Sequence, residues 1–215
     1  MESVLGWSSL MTIAQETRPD DLDADTRLML RFKAGDLEAF DILFSRHVRS
    51  LVNFAFRFVR NREMAEEIAQ EVFLRVNDAA PGYRPEAKFT TWLYRIATNL
   101  CLNEIRRPRF RIEHQSLESG SGGDPDRKAI DLADSSNIAP DQLLQRRAVA
   151  DALRKALDAL PEKQRLAFIL NKYQELSYAE VAEVMKTSEK AVKSLIHRAK
   201  EAMAEILKPL LPELL

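Results

Sequence analysis

The chain has 215 residues, 46% of them hydrophobic and 30% charged, with 32 basic against 33 acidic side chains and a formal net charge of −1. That length fits one large domain or two small ones; the apolar fraction excludes global disorder, and near-neutrality excludes a uniformly basic nucleic-acid coat but not a local basic patch. The single cysteine, Cys101, excludes a disulfide framework and a cysteine-rich zinc site and fits a reducing cytoplasm, while no apolar run is long enough for a membrane-spanning helix and the N-terminus lacks the basic start and apolar core of a signal peptide.

Residues 1–24 read as a loose acidic extension, open to being disordered, regulatory or a misassigned start. A first helix is expected from about Asp25 to Ala34, stopped by Gly35. A second opens at Asp36 and places Leu37, Phe40, Phe44, Val48, Leu51, Ala55 and Phe58 on one face. A third has Ala65, Ile68, Ala69, Val72, Phe73 and Val76 at helical spacing. Pro81, Gly82 and Pro85 mark a loop, and a fourth helix runs from near Thr90 to before Pro108. Residues 112–140 are acidic and rich in Ser, Gly and Pro, which defines a flexible linker. Beyond it, helices are expected from about Asp141 to Leu160, from Pro161 to Lys172, briefly from Ser177, and from Ser188 to Leu207. No stretch alternates apolar and polar residues long enough for a strand. The fold class is therefore all-α: two small helical domains, 25–111 and 141–215, joined by the acidic linker.

The strongest local signal is a helix-turn-helix. Ser177-Tyr178-Ala179-Glu180 is a capping box. Val181, Ala182 and Met185 give that short helix its buried face, and Val192, Leu195, Ile196, Ala199, Met203 and Ile206 form one stripe on the next. At about 100° per residue the opposite face carries Lys190, Lys193, Ser194, His197 and Arg198, side chains able to meet phosphates and base edges in a major groove. The plainer reading is a helical hairpin with a solvated basic face. The turn position that usually holds glycine is Lys186, where a positive φ costs roughly 1 kcal/mol.

On the fourth helix, Leu93, Ile96, Ala97 and Leu100 form the expected buried stripe, and Trp92, Arg95, Asn99, Asn103 and Arg106 lie opposite. An aromatic plate, guanidiniums and amides on one face suit unpaired bases; the alternative is a core tryptophan beside solubilising arginines. Arg107, Arg109 and Arg111 extend the positive ground. The third helix exposes Glu66, Glu67, Gln70, Glu71 and Arg75, either solvated surface or a docking face for a basic partner.

Taken together these segments resemble the sigma-70 family of bacterial transcription initiation factors, and within it the small extracytoplasmic-function (ECF) group. Ala65-Glu66-Glu67-Ile68-Ala69-Gln70-Glu71-Val72-Phe73 resembles the segment that docks on the clamp helices of the largest subunit of core RNA polymerase. Phe89-Thr90-Thr91-Trp92-Leu93-Tyr94-Arg95-Ile96-Ala97-Thr98-Asn99 resembles the segment that melts and reads the −10 element. Leu160-Pro161-Glu162-Lys163-Gln164-Arg165, with Leu176 to Ala182 and Val192-Lys193-Ser194, resembles the −35-reading domain. The chain departs from the family pattern at Glu67 and Asn103, where aspartate is common, at Lys186, where glycine is usual, and at Ala191, where threonine is frequent.

The resemblance implies a region 2 and a region 4 domain and an alternative sigma factor that directs promoter-specific initiation without enzymatic activity of its own. It implies core docking through Glu66, Glu67, Gln70, Glu71 and Phe73. It implies −10 contacts by Tyr83, Arg84, Lys88, Trp92, Arg95, Asn99, Arg106 and Arg107, and −35 contacts by Lys190, Lys193, Ser194, His197 and Arg198. The implied partners are core RNA polymerase, promoter DNA (duplex at −35, single strand at −10) and an anti-sigma protein, commonly membrane-bound; the implied site is the cytoplasm, with no direct membrane insertion. The linker would thread the polymerase's basic cleft. No cofactor or metal is implied: His47, His114 and His197 sit in separate segments without metal-ligand spacing. His47 reads as a helix-surface or boundary residue and Cys101 as a small packed side chain. The rival function is a stand-alone helix-turn-helix regulator that binds duplex DNA as a dimer, which the absence of a visible dimer helix disfavours.

Overall fold

The computed structural model describes residues 22–107 and 140–208, with 140–147 described for backbone only. The acidic extension before residue 22, the linker, Arg109, Arg111 and His114 lie outside the described residues. Among the described residues there are eight α-helices and no strand.

The first half holds α1 (Ala24–Lys33), α2 (Leu37–Val59), α3 (Arg62–Ala79) and α4 (Phe89–Ile105), with one 3-10 turn, Ala80–Gly82, between the last two. Each of the first three starts where a short polar side chain meets orphan amides. Asp23 accepts from the amides of Asp25 and Thr26, Asp36 from Ala39 and Asn61 from Met64. Gly35 turns the chain between α1 and α2 at φ +102, a conformation that L side chains rarely adopt. Arg60 makes the next corner in the left-handed region, φ 54. α2, α3 and α4 enclose a core in which Leu43, Leu51, Phe54, Val72, Val76, Phe89 and Leu93 are fully buried. Each such large side chain contributes roughly 1.5–3 kcal/mol by leaving water.

The second half holds α5 (Pro140–Asp158), α6 (Glu162–Lys172), α7 (Tyr178–Met185) and α8 (Glu189–Leu207). Ile169, Leu170, Val181, Val192 and Ile196 form its centre. The capping box is present in both directions: the Glu180 amide donates to Ser177 Oγ at 3.2 Å and the Ser177 amide to Glu180 Oε2 at 2.7 Å. Lys186 adopts φ 50, ψ 52 at the turn, the conformation expected of its position, and Ser188 caps α8 through the Ala191 amide.

Several side chains fall elsewhere than their spacing predicts. Leu37 (72% exposed) lies on the surface, and Phe44 is partly exposed although its ring packs on Phe73 of α3. On α4, Ile96 and Leu100 are half-buried, while Thr91, Tyr94, Thr98 and Cys101 lie deeper. The buried arc is wider than one stripe because α4 is covered twice, by α2 and α3 on one side and by α7 of the second half on the other. Cys101 is fully enclosed and burial pushes its thiol up to about 12, which leaves it a packed, protonated side chain. His47 is buried rather than at the surface, its Nε2 2.7 Å from Asp25 Oδ2, because α1 folds back over it.

Candidate nucleic-acid interface and polymerase-docking face

On α3, Glu67, Gln70, Glu71 and Leu74 stand at i, i+3, i+4 and i+7 and so share one outward stripe. Glu67, Gln70 and Leu74 are exposed and Glu71 is partly so. Glu66 pairs with Arg62 at 2.6 Å and Glu71 with Arg75 at 2.8 Å, both one turn apart on the same helix. Phe73 does not belong to this surface: it is 3% exposed and packs edge-on against Phe40 and, at 4.8 Å between ring centres, against Phe44. It packs beneath the outward stripe. Leu74 (59% exposed) was missed from sequence, although its position seven residues after Glu67 places it on the same stripe. With Phe44 and Leu37 on α2 it leaves exposed apolar side chains on the two helices that Phe73 joins.

At the start of α4, Trp92 is half-buried on two aromatic neighbours, Tyr83 at 5.0 Å and Phe89 at 6.0 Å between ring centres. Tyr83 is 5% exposed and is therefore the wall behind Trp92 rather than an open contact. Burial pushes its phenol above the ordinary value. Arg84, Lys88, Arg95, Asn99, Asn103, Arg106 and Arg107 are all exposed. Sequence periodicity alone places Trp92, Arg95, Asn99 and Asn103 together, and the helix delivers that arrangement with Trp92 seated between the two readings considered above, half in the core and half out. Arg107 is paired with Glu104 at 2.8 Å.

On α8, Lys190, Lys193, Ser194, His197 and Arg198 are all exposed on the side opposite buried Val192, Ile196, Ala199 and Met203. Lys193 and His197 each meet a glutamate one turn away, Glu189 at 3.1 Å and Glu201 at 3.5 Å. Pairs this exposed contribute little to stability, so both side chains are available to a stronger partner.

The two halves are in contact, and they meet along α2 and α4. Ser50 Oγ donates to Gln174 Oε1 at 2.9 Å, and the Tyr94 hydroxyl, 2.9 Å from Ser50 Oγ, donates to the same Gln174 oxygen. Burial pushes the Tyr94 phenol up, which keeps it a donor. Arg57 lies over the Tyr173 ring at 4.1 Å, and Arg60 pairs with Asp158. Two of the basic residues assigned to the −10 face take part: Lys88 Nζ is 2.9 Å from Glu180 Oε1 and Arg106 Nη2 is 2.9 Å from Glu162 Oε1. Glu180 thus caps α7 with one oxygen and holds Lys88 with the other. Sequence reading finds the cap; the second role needs the tertiary contact.

This pair carries a pH dependence. Burial works to raise the Glu180 pKa, but hydrogen bonds from Ser177 and Lys88 outweigh it and hold the carboxyl below its ordinary value of 4.5. The hydrogen bond to Glu180 raises Lys88. A lowered carboxyl contributes stability that is complete above 4.5 and lost as pH falls through the lower folded value. The raised ammonium contributes below its ordinary 10.5 and loses that only at higher pH. The melting temperature of wild type is therefore expected to exceed that of Glu180→Gln by a constant margin near neutrality, and the two are expected to converge on acidification below pH 4.5; parallel curves throughout would contradict the assignment.

Comparison with known proteins identifies the family. Residues 43–111 match the family model for Sigma-70 region 2, and residues 150–203 match that for Sigma-70, region 4; α1 and the start of α2 precede the first match. The chain is 32% identical to the RNA polymerase sigma-H factor of Pseudomonas aeruginosa over 196 residues, which covers 89% of this chain and 97% of that one. It is 31% identical to the ECF RNA polymerase sigma-E factor of Escherichia coli strain K12 over 195 residues, 87% of this chain and 96% of that one. Among solved structures, the fold is similar to CnrH in complex with the cytosolic domain of CnrY (TM-score 0.62, 23% identity, covering 87% of this chain and 99% of that one). It is also similar to the sigma factor RpoE in complex with the anti-sigma factor NepR from Bartonella quintana (TM-score 0.56, 22% identity, 79% and 96%). With two family-specific regions in order and relatives matched over nearly their whole length, the chain belongs to the sigma-70 family of RNA polymerase sigma factors, in its extracytoplasmic-function group.

Proposed function

We propose that this sigma factor is a promoter-specificity subunit that performs no chemistry, docks on core RNA polymerase through α3, opens and reads the −10 element with α4 and its preceding loop, and reads the −35 element with α8. The observation that carries the proposal is the start of α4. There a tryptophan half-seated on two aromatic rings is followed along one exposed face by Arg95, Asn99 and Asn103. Unstacking a base costs a few kcal/mol, which an aromatic-lined pocket offsets. Arg84 and Lys88 just before α4, and Arg106 and Arg107 at its far end, would hold phosphates, and the five α8 residues would enter a major groove. Glu67, Gln70 and Glu71 present acceptors to basic groups of the polymerase clamp, with Leu74 as an apolar contact and Glu66 at the edge.

Lys88 and Arg106 already have carboxylate partners on the second half. Promoter phosphates at these positions would take the place of Glu180 and Glu162, so −10 engagement and separation of the halves would proceed together. Each DNA module alone is a weak binder; linkage through the polymerase raises the effective concentration of both. An anti-sigma protein is the further partner proposed. Among the described residues no helix is long and apolar enough to cross a membrane, and the proposed site of action is the cytoplasm, with any membrane tether supplied by that partner.

The test is a titration of labelled protein against purified core polymerase, with the housekeeping sigma factor as competitor. Saturable, competitive binding is expected, followed by promoter-specific run-off transcription on genomic fragments. A folded protein that ignores micromolar core and binds duplex DNA as a dimer would transfer the assignment to a stand-alone helix-turn-helix regulator.

A further inference from the structure

α4 begins without a cap of its own. Lys88, the N-cap residue, offers no side-chain acceptor, and Phe89, whose amide is the first orphan donor, is fully buried. The acceptor comes from α1, 63 residues earlier: the Phe89 amide donates to Thr26 Oγ1 at 3.0 Å. Thr26 is 1% exposed, so water does not substitute. Its hydroxyl hydrogen is committed elsewhere, to Asp23 Oδ2 at 2.6 Å. Asp23 is in turn fixed by its other oxygen, which accepts the amides of Asp25 and Thr26 at 3.1 and 3.0 Å. With its single proton spent on Asp23, the Thr26 hydroxyl can only accept from Phe89. One carboxylate thereby caps α1 directly and α4 through a threonine.

Two further ties bind α1 to the same place. Lys33 Nζ donates to the Tyr83 carbonyl at 2.7 Å, which pins the loop before α4. Asp25 holds Arg46 and His47 of α2, and the His47 ring lies 5.6 Å from that of Phe89. The two aromatic walls of Trp92 are Phe89 and Tyr83. Thr26 fixes the backbone of the first, and Lys33 the backbone of the second.

We infer that Thr26, oriented by Asp23 and assisted by Lys33, is a positioning residue for single-stranded −10 DNA: α1 acts as an external cap that fixes the aromatic seat of Trp92. The inference rests on the −10 assignment of Trp92 proposed above. The polymerase-docking stripe is on the outer face of α3, and none of these hydrogen bonds reaches it. Loss of the cap should therefore separate DNA binding from core binding, which a general loss of folding would not.

The test uses reconstituted holoenzyme and a promoter recovered by run-off transcription, prepared as a heteroduplex with its −10 stretch unpaired. Thr26→Val keeps the shape of the side chain and removes the hydroxyl. It is expected to weaken heteroduplex binding by about tenfold, as for one buried hydrogen bond, with core affinity within about twofold of wild type. Thr26→Ser should restore binding. Lys33→Met, at an exposed position, should give a smaller loss in the same direction. Wild-type binding by Thr26→Val, or an equal loss of core and heteroduplex affinity, would overturn the inference. Should Thr26→Val fail to fold, Lys33→Met carries the test, and its equality with wild type has the same meaning. A wild-type holoenzyme that binds the heteroduplex no better than the closed duplex would overturn the −10 assignment instead.

Discussion

Replacing Glu67 and Glu71 together by lysine is expected to lower affinity for core polymerase by about 100-fold or more while leaving the fold intact. Both lie on the outward stripe of α3, and lysine is as good a helix former as glutamate. Their removal opens no cavity, so thermal unfolding should hardly change. The binding cost has two sources. The attraction between acidic stripe and basic clamp is lost, and two like charges are brought together in its place, at several kcal/mol across a close interface. Arg75 adds to the effect, since its present partner at 2.8 Å is Glu71. Competition against the housekeeping sigma factor reads the result. A folded variant with unchanged core affinity would remove the docking role from α3.

Trp92→Ala is expected to produce the second large effect, in strand opening. One base–aromatic stack is worth about 1–3 kcal/mol, which corresponds to roughly 5- to 150-fold in the population of open complex. Core affinity should stay within about twofold, because α3 is untouched. Trp92 also packs on Tyr83 and Phe89, so the alanine variant should lose some thermal stability; Trp92→Phe, which keeps an aromatic face, should recover much of both properties. Fluorescence of a base analogue placed in the −10 element measures opening, and the titration above measures docking. Equal losses in the two would sink the assignment of Trp92 to the DNA face.

The contrast between the two predictions reflects how differently their residues could be read. Glu67, Gln70 and Glu71 are surface side chains on a regular helix, and helical period alone puts them on one stripe; it also reaches Leu74, which charge-based reading passed over because an exposed leucine looks like core. Phe73 and Tyr83 show the converse. Each sits inside or next to a segment of functional character, and each is turned inward, since α2 lies over one and α1 beside the other. Period fixes an angle around a helix axis. It does not say how many neighbours cover the helix, which is why the buried arc of α4 extends to Thr91, Tyr94, Thr98 and Cys101.

Local chemistry was the part legible without coordinates. The capping box at Ser177 and Glu180, the left-handed turn at Lys186 and the basic outer row of α8 depend on residues within a few positions of one another, and hydrogen bonds of that range need no tertiary partner. The all-α character, the two helical regions, the family and which side chains of α3, α4 and α8 are exposed follow from spacing and motif alone. The tertiary structure decided the long-range assignments: His47 against Asp25, Thr26 as the cap of a helix 63 residues away, and Lys88 and Arg106 engaged by carboxylates of the other half. The physical reason is that periodicity and capping are written in spacings of two to four residues, whereas the partner of a buried donor or an exposed cation is set by which helices pack together, and no short-range pattern records that.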